Sequence, residues 1–227
     1  MKTFKYYLFY TDIKMIIKYT DNEHIRKREE KAEEIFSSLP YRYCLITGSF
    51  IYKKNYKDID VFVISRSKKK AKAEGSVRVQ SLDFNDLHSL FYHSIIKQCI
   101  AKNILPKKPL KVTMAQCWES ISEAYISLMN DPKDFRKHAR DIMLYIHYAK
   151  TREVLGSIDL AKKTNEFRGA KEVQEYVKKS APKALSLLGS KTYRKRYFYT
   201  QAASYKELFD YGSYTFLYAV AHEAAQA

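Results

Sequence analysis

The chain has 227 residues, 46% hydrophobic and 15% aromatic, with only 6 Gly and 5 Pro. That excludes a disordered, collagen-like or low-complexity chain and leaves room for one large domain or two small ones, each with a core. Lys and Arg number 41 against 25 Asp and Glu, a formal charge of +16, so the cost of self-repulsion points to a polyanionic partner: nucleic acid, nucleotide phosphates or an anionic membrane.

The elements follow in chain order. Met1 to Lys18 mixes lysines with aromatics but lacks a small-residue cleavage site, so it is not read as a signal peptide. It reads as an aromatic-rich strand or helix packing on the domain, with a membrane surface as the alternative. Asp21 to Ser38 predicts a helix, capped by Asp21, with Ile25, Ala32, Ile35 and Phe36 on one face and an end at Leu39-Pro40. Tyr43 to Thr47 predicts a buried strand that stops at Gly48-Ser49. Ile59 to Ser65, rich in β-branched residues, predicts a second, and Val77 to Phe84 a third, with a basic connection from Arg66 to Gly75. Asn85 is read as the cap of a helix from Asp86 to about Lys102.

Leu105 to Pro109, with two prolines and two lysines, reads as a boundary. Beyond it the pattern is helical: Thr113 to Asn130, Pro132 to Leu155, Gly169 to Ser180, Ala184 to Leu188, Thr192 to Phe209 and Tyr214 to Ala225. No comparable strand signal follows Pro109. The expected architecture is therefore an α/β domain over residues 1–109 with a mixed sheet and flanking helices, followed by an all-α domain over 110–227 that binds substrate or partner. Both parts are basic, with net +10 over residues 1–110 and +6 over 111–227.

The cysteines Cys44, Cys99 and Cys117 are odd in number and far apart, which argues against a disulfide framework or a zinc site and for a reducing, cytoplasmic compartment. No run approaches the roughly 20 apolar residues of a membrane helix. His88 and His93, five apart, and His138 and His147, nine apart, do not have the spacing of a metal pair on one helix face, and they read as surface or packing residues.

The chemistry is concentrated in Cys44 to Ser65, CLITGSFIYKKNYKDIDVFVIS. Glycine lets the backbone turn sharply and approach a phosphate, and Ser49 adds a hydroxyl. Strand alternation puts Asp58 and Asp60 on one face, roughly 6–7 Å apart at the backbone, with Ile59, Val61 and Val63 on the other. Two carboxylates there suit a hard cation such as Mg²⁺ or Mn²⁺, which can bridge triphosphate oxygens.

Gly48-Ser49, eight intervening residues and Asp58-Ile59-Asp60 resemble the hallmark of the polymerase-beta-like nucleotidyltransferase superfamily, in the style of its minimal members, over roughly residues 21 to 102. Tyr52-Lys53 and Lys57 stand where many relatives have Arg-Gly and a serine. The resemblance implies transfer of a nucleotide from an NTP, such as ATP, to an acceptor hydroxyl, with release of pyrophosphate. It implies Gly48 and Ser49 as triphosphate ligands and Asp58 and Asp60 as ligands of two Mg²⁺. It also implies a third carboxylate on a later strand, acting as ligand or base. Asp83 is the favoured candidate, as the only acid on its strand. Gln80 is the alternative register and would leave the site without that acid.

Lys68-Lys69-Lys70 reads as a solvated loop that can hold substrate if it lies near a phosphate. Lys191 to Tyr199, KTYRKRYFY, interleaves charge and rings, so Lys191, Arg194, Lys195, Arg196 and Tyr197 are weak candidates for RNA binding, against an ordinary amphipathic helix. The leading expectation is a metal-dependent nucleotidyltransferase acting on RNA (a tRNA end fits the charge), a protein or a small molecule. A catalytically degenerate nucleotide- or nucleic-acid-binding module is the second reading. The enzyme half of a toxin–antitoxin pair, covered by a cognate antitoxin chain, is the third.

Overall fold

The computed structural model describes residues 16–19, 23–66 and 72–190. Expectations for Met1 to Met15, Asp21, Lys68-Lys69-Lys70 and everything from Lys191 onward, including Arg194, Lys195, Arg196 and Tyr197 and the last two helices, fall outside these residues.

Two compact units emerge. The first takes the described residues up to Leu87 together with Ile96–Lys107; the second takes His88–Ile95 with the described chain from Lys108. The expected boundary near Pro109 is thus crossed by a short segment. Leu90 explains why: it is buried against Cys117, Met143, Leu144 and Leu160 of the second unit.

The first unit is a mixed α/β assembly. In chain order it contains β1 (Ile16–Lys18), α1 (Glu23–Arg26), α2 (Glu29–Ser38), β2 (Tyr43–Thr47), α3 (Ser49–Tyr52), β3 (Ile59–Ile64), β4 (Lys72–Glu74), β5 (Val77–Leu82) and β6 (Ile100–Lys102). The strands form one sheet in the order β1-β6-β2-β3-β5-β4. β2 runs antiparallel to both β3 and β6, whereas β3 and β5 are parallel. Val61 to Ile64 are all buried, as a central strand covered on both faces requires. β4 returns into β5 through Gly75, whose φ of +56° suits a residue without a Cβ.

Two expectations change here. The predicted helix over 21–38 breaks at Lys27-Arg28 into α1 and α2, and the Arg28 side chain reaches elsewhere, as described below. The predicted helix over 86–102 shrinks to a 3-10 turn (Asp86–His88) and one short helix, after which the chain becomes β6. Cys99, Ile100 and Ala101 are wholly buried between β1 and β2, so strand pairing overrides a helix-compatible apolar run. Lys102 then turns its ammonium to the carbonyls of Phe36 and Leu39, each at 3.2 Å, and satisfies the end of α2.

The second unit is helical: α4 (Leu90–Ile95), α5 (Met114–Asn130), α6 (Phe135–Thr151), α7 (Ser157–Thr164), α8 (Ala170–Ser180) and α9 (Pro182–Leu188). Thr113 and Gln116 form a reciprocal capping box at the start of α5. Arg152, at φ +63°, ends α6 four residues before Gly156. α7 has no counterpart in the sequence reading. Ile121, Tyr125, Ile142, Ile146, Val173 and Val177 share one core. The Ser122 hydroxyl donates to the Ala184 carbonyl at 2.7 Å and ties α5 to α9. Among the described residues no strand follows Lys102, and no helix is long and apolar enough to cross a membrane.

All three thiols are buried and unpaired. Burial pushes Cys44 up to about 12 against a smaller opposing effect of Lys102, and it raises Cys99 and Cys117 as well. Since the thiolate is the nucleophile, iodoacetamide at neutral pH is expected to leave the native chain unmodified and to label all three positions in denaturant. Native labelling counted by intact mass would contradict the packing.

Candidate functional site

The C-terminal end of β2 and the N-terminal ends of β3 and β5 lie at the same edge of the first unit's sheet. This follows from the pairing register, Thr47 opposite Asp60 and Asp60 opposite Arg78. Thr47 is buried, and its hydroxyl donates to the Gln98 carbonyl at 3.0 Å, which fixes the end of β2. The chain then turns through Gly48 at φ +76° and ψ −154°, a conformation that residues with a Cβ rarely adopt. A Cβ built on Gly48 would stand 3.5 Å from Asp60 Oδ2, so the bare glycine backbone and this carboxylate are neighbours. Ser49 opens α3, which buries Phe50 and Ile51 beneath the turn.

The segment between the glycine turn and the acids is held by one side chain. Arg28 donates from Nη1 to the Phe50 carbonyl, and from Nη2 to the carbonyls of Lys53 at 2.7 Å and Lys54 at 2.8 Å. Its guanidinium also lies 5.2 Å from the Phe50 ring centre and 4.5 Å from that of Tyr56, and these two rings meet edge to face. Five donors in a planar fork explain why arginine suits this position. Sequence reasoning missed Arg28, because its partners lie 22 to 26 residues away.

Asp58 and Asp60 are half-buried at the mouth of β3. Asp58 Oδ2 pairs with Arg78 Nη1 at 2.9 Å. Paired residues of adjacent strands project to one face, so Arg78 and then Gln80 are the β5 residues that flank the acid pair. Both are exposed.

Asp83 is elsewhere, which corrects the expectation that it completes the acid pair. Leu82 pairs with Ile64, so Asp83 stands at the opposite end of the parallel strands, roughly 16 Å along β3 from Asp60 at about 3.3 Å per residue. There it caps a turn. Its Oδ1 accepts from the backbone N–H of Asn85 at 2.7 Å and of Asp86 at 3.1 Å, and Asp86 Oδ2 accepts from the Asp83 N–H at 2.8 Å. The signal was present as Asp-Phe-Asn-Asp after a strand, a pattern for a side-chain-closed turn.

The donor set bears on the metal. Two carboxylates beside a glycine turn, with a serine hydroxyl at its exit, supply hard oxygens that suit one Mg²⁺ or Mn²⁺ completed by phosphates and water. Among the described residues, the position facing Asp60 on β5 is a cation, Arg78, rather than a third acid. Among the described residues no group of three His, Cys, Asp or Glu gathers to hold a metal, His88, His93, His138 and His147 included. No protein-family model and no curated protein sequence matches this chain.

Proposed function

We propose that the chain is a metal-dependent nucleotidyltransferase of the polymerase-beta-like type, acting in the cytoplasm on an acceptor hydroxyl. The observation that carries this reading is the glycine turn at Gly48 set against the Asp60 carboxylate on the adjacent strand. The mixed β2-β3-β5 sheet gives the general α/β class that the resemblance implies, and the charge of +16 favours RNA, including a tRNA end, as the acceptor.

In this reading the open backbone at Gly48 admits a phosphate, and the Ser49 hydroxyl donates to one of its oxygens. Asp58 and Asp60 would hold a single Mg²⁺. When bound, that cation supplies charge neutralisation of the triphosphate and polarisation at phosphorus. Asp83 takes no part, and among the described residues no third acid joins Asp58 and Asp60 in a metal-holding group. That last point favours a second reading, a nucleotide-binding module that has lost catalysis, with the Asp58–Arg78 pair as its specific support.

Incubation with each α-labelled NTP, Mg²⁺ and total RNA or cell protein separates the two. Transfer of label from one NTP, with release of pyrophosphate, is the expected result. Triphosphate binding without any transfer selects the module, and absence of both removes the site.

A further inference from the structure

Among the described residues, Arg78 is the cation that the sheet register sets directly beside the acid pair. Its partner Asp58 retains 27% of its side-chain exposure, whereas Arg78 retains 62%. The guanidinium is therefore held at one end of a long, largely solvated side chain that is free to change partner.

We propose that Arg78 is a partner-exchange residue of the triphosphate site. It neutralises Asp58 before ligand arrives, then gives up that carboxylate to the cation and takes a phosphate oxygen instead. The proposal rests on the nucleotidyl-transfer reading above. The charges favour the exchange. Without ligand, Asp58 and Asp60 are like charges on one face, and the Arg78 pair offsets their repulsion. A divalent cation does so more strongly and competes with the guanidinium for Asp58. A bound triphosphate brings more negative charge than one Mg²⁺ cancels, and the planar fork of arginine matches phosphate oxygens two at a time. Arg78 thus supplies positive charge at the β5 position facing Asp60, where among the described residues no third carboxylate stands to hold a second cation.

The consequence is a pair of effects of opposite sign. In calorimetric titrations of the full chain with Mn²⁺ alone, Arg78→Gln is expected to tighten binding on the order of two- to fivefold, the scale of removing a half-exposed competing ion pair. With Mn²⁺–tripolyphosphate, a probe without a base or sugar, the same variant is expected to bind about tenfold more weakly or worse, for loss of a charge-assisted phosphate contact. Arg78→Lys keeps the charge without the fork and is expected to fall between wild type and Arg78→Gln in both titrations. Should the glutamine variant fail to fold, the lysine variant decides by the same two signs. If wild type binds both probes and the variants shift both affinities in one direction, or shift neither, the exchange is overturned while the site stands. If wild type binds neither probe, the nucleotidyl-transfer reading falls and takes this proposal with it.

Discussion

Replacing Asp58 and Asp60 together by asparagine is expected to erase the rise in Tm that Mg²⁺ plus a triphosphate gives the wild-type chain. Ligand at about a hundred times its Kd stabilises by about 2.7 kcal/mol through mass action, which for a unit of this size is a shift of roughly 10 °C. The double variant loses both negative charges and keeps only a neutral amide oxygen at each position, with the shape of the side chains unchanged. Its fold is expected to survive. The Asp58–Arg78 pair is partly solvated, so its loss costs at most about 1 kcal/mol, and removing two like charges from one face offsets part of that. The backbone pairing of Asp60 with Thr47 and Arg78 does not depend on its carboxylate. Differential scanning fluorimetry with and without ligand makes the measurement. A full shift in the double variant would move the cation away from these residues.

The parts legible in the sequence are those set by local chemistry. β2, β3 and β5 announce themselves through apolar and β-branched runs bounded by turn residues, and Gly48 through its position between two of them. Thr113 is readable as a cap because its partner Gln116 is three residues away. The parts that were not legible depend on register and tertiary pairing. Ile100 to Lys102 carries no period that separates a buried strand from a helix, and only insertion between β1 and β2 decides it. The parallel pairing of Asp60 with Arg78 is likewise invisible from composition. It reverses the meaning of β5, since the residue beside the acid pair is a base and the acid at Asp83 belongs to the far end. Strand parity puts Asp83 and Gln80 on opposite faces, but it does not say which end of β5 meets Asp58.

Arg28→Ala is expected to damage both stability and the site. The guanidinium serves three main-chain carbonyls, of Phe50, Lys53 and Lys54, and covers the rings of Phe50 and Tyr56. Those contacts bridge the α1–α2 break to the segment that links the glycine turn with Asp58. Water can reach the two outer carbonyls after truncation, so the loss is smaller than three buried hydrogen bonds. On the order of 2 kcal/mol is expected in denaturant unfolding, from the inner carbonyl and the ring contacts together. The second effect is on geometry. With residues 50–57 unanchored, the distance between Gly48 and the acid pair is no longer fixed by the loop, and ligand binding must restore that order at its own expense. Triphosphate affinity is therefore expected to fall together with stability. Arg28→Lys is expected to recover little of either, because one ammonium cannot span carbonyls on both sides of the loop and stack on two rings. A lysine variant with wild-type stability and affinity would show that the charge alone, and not the fork, holds the segment.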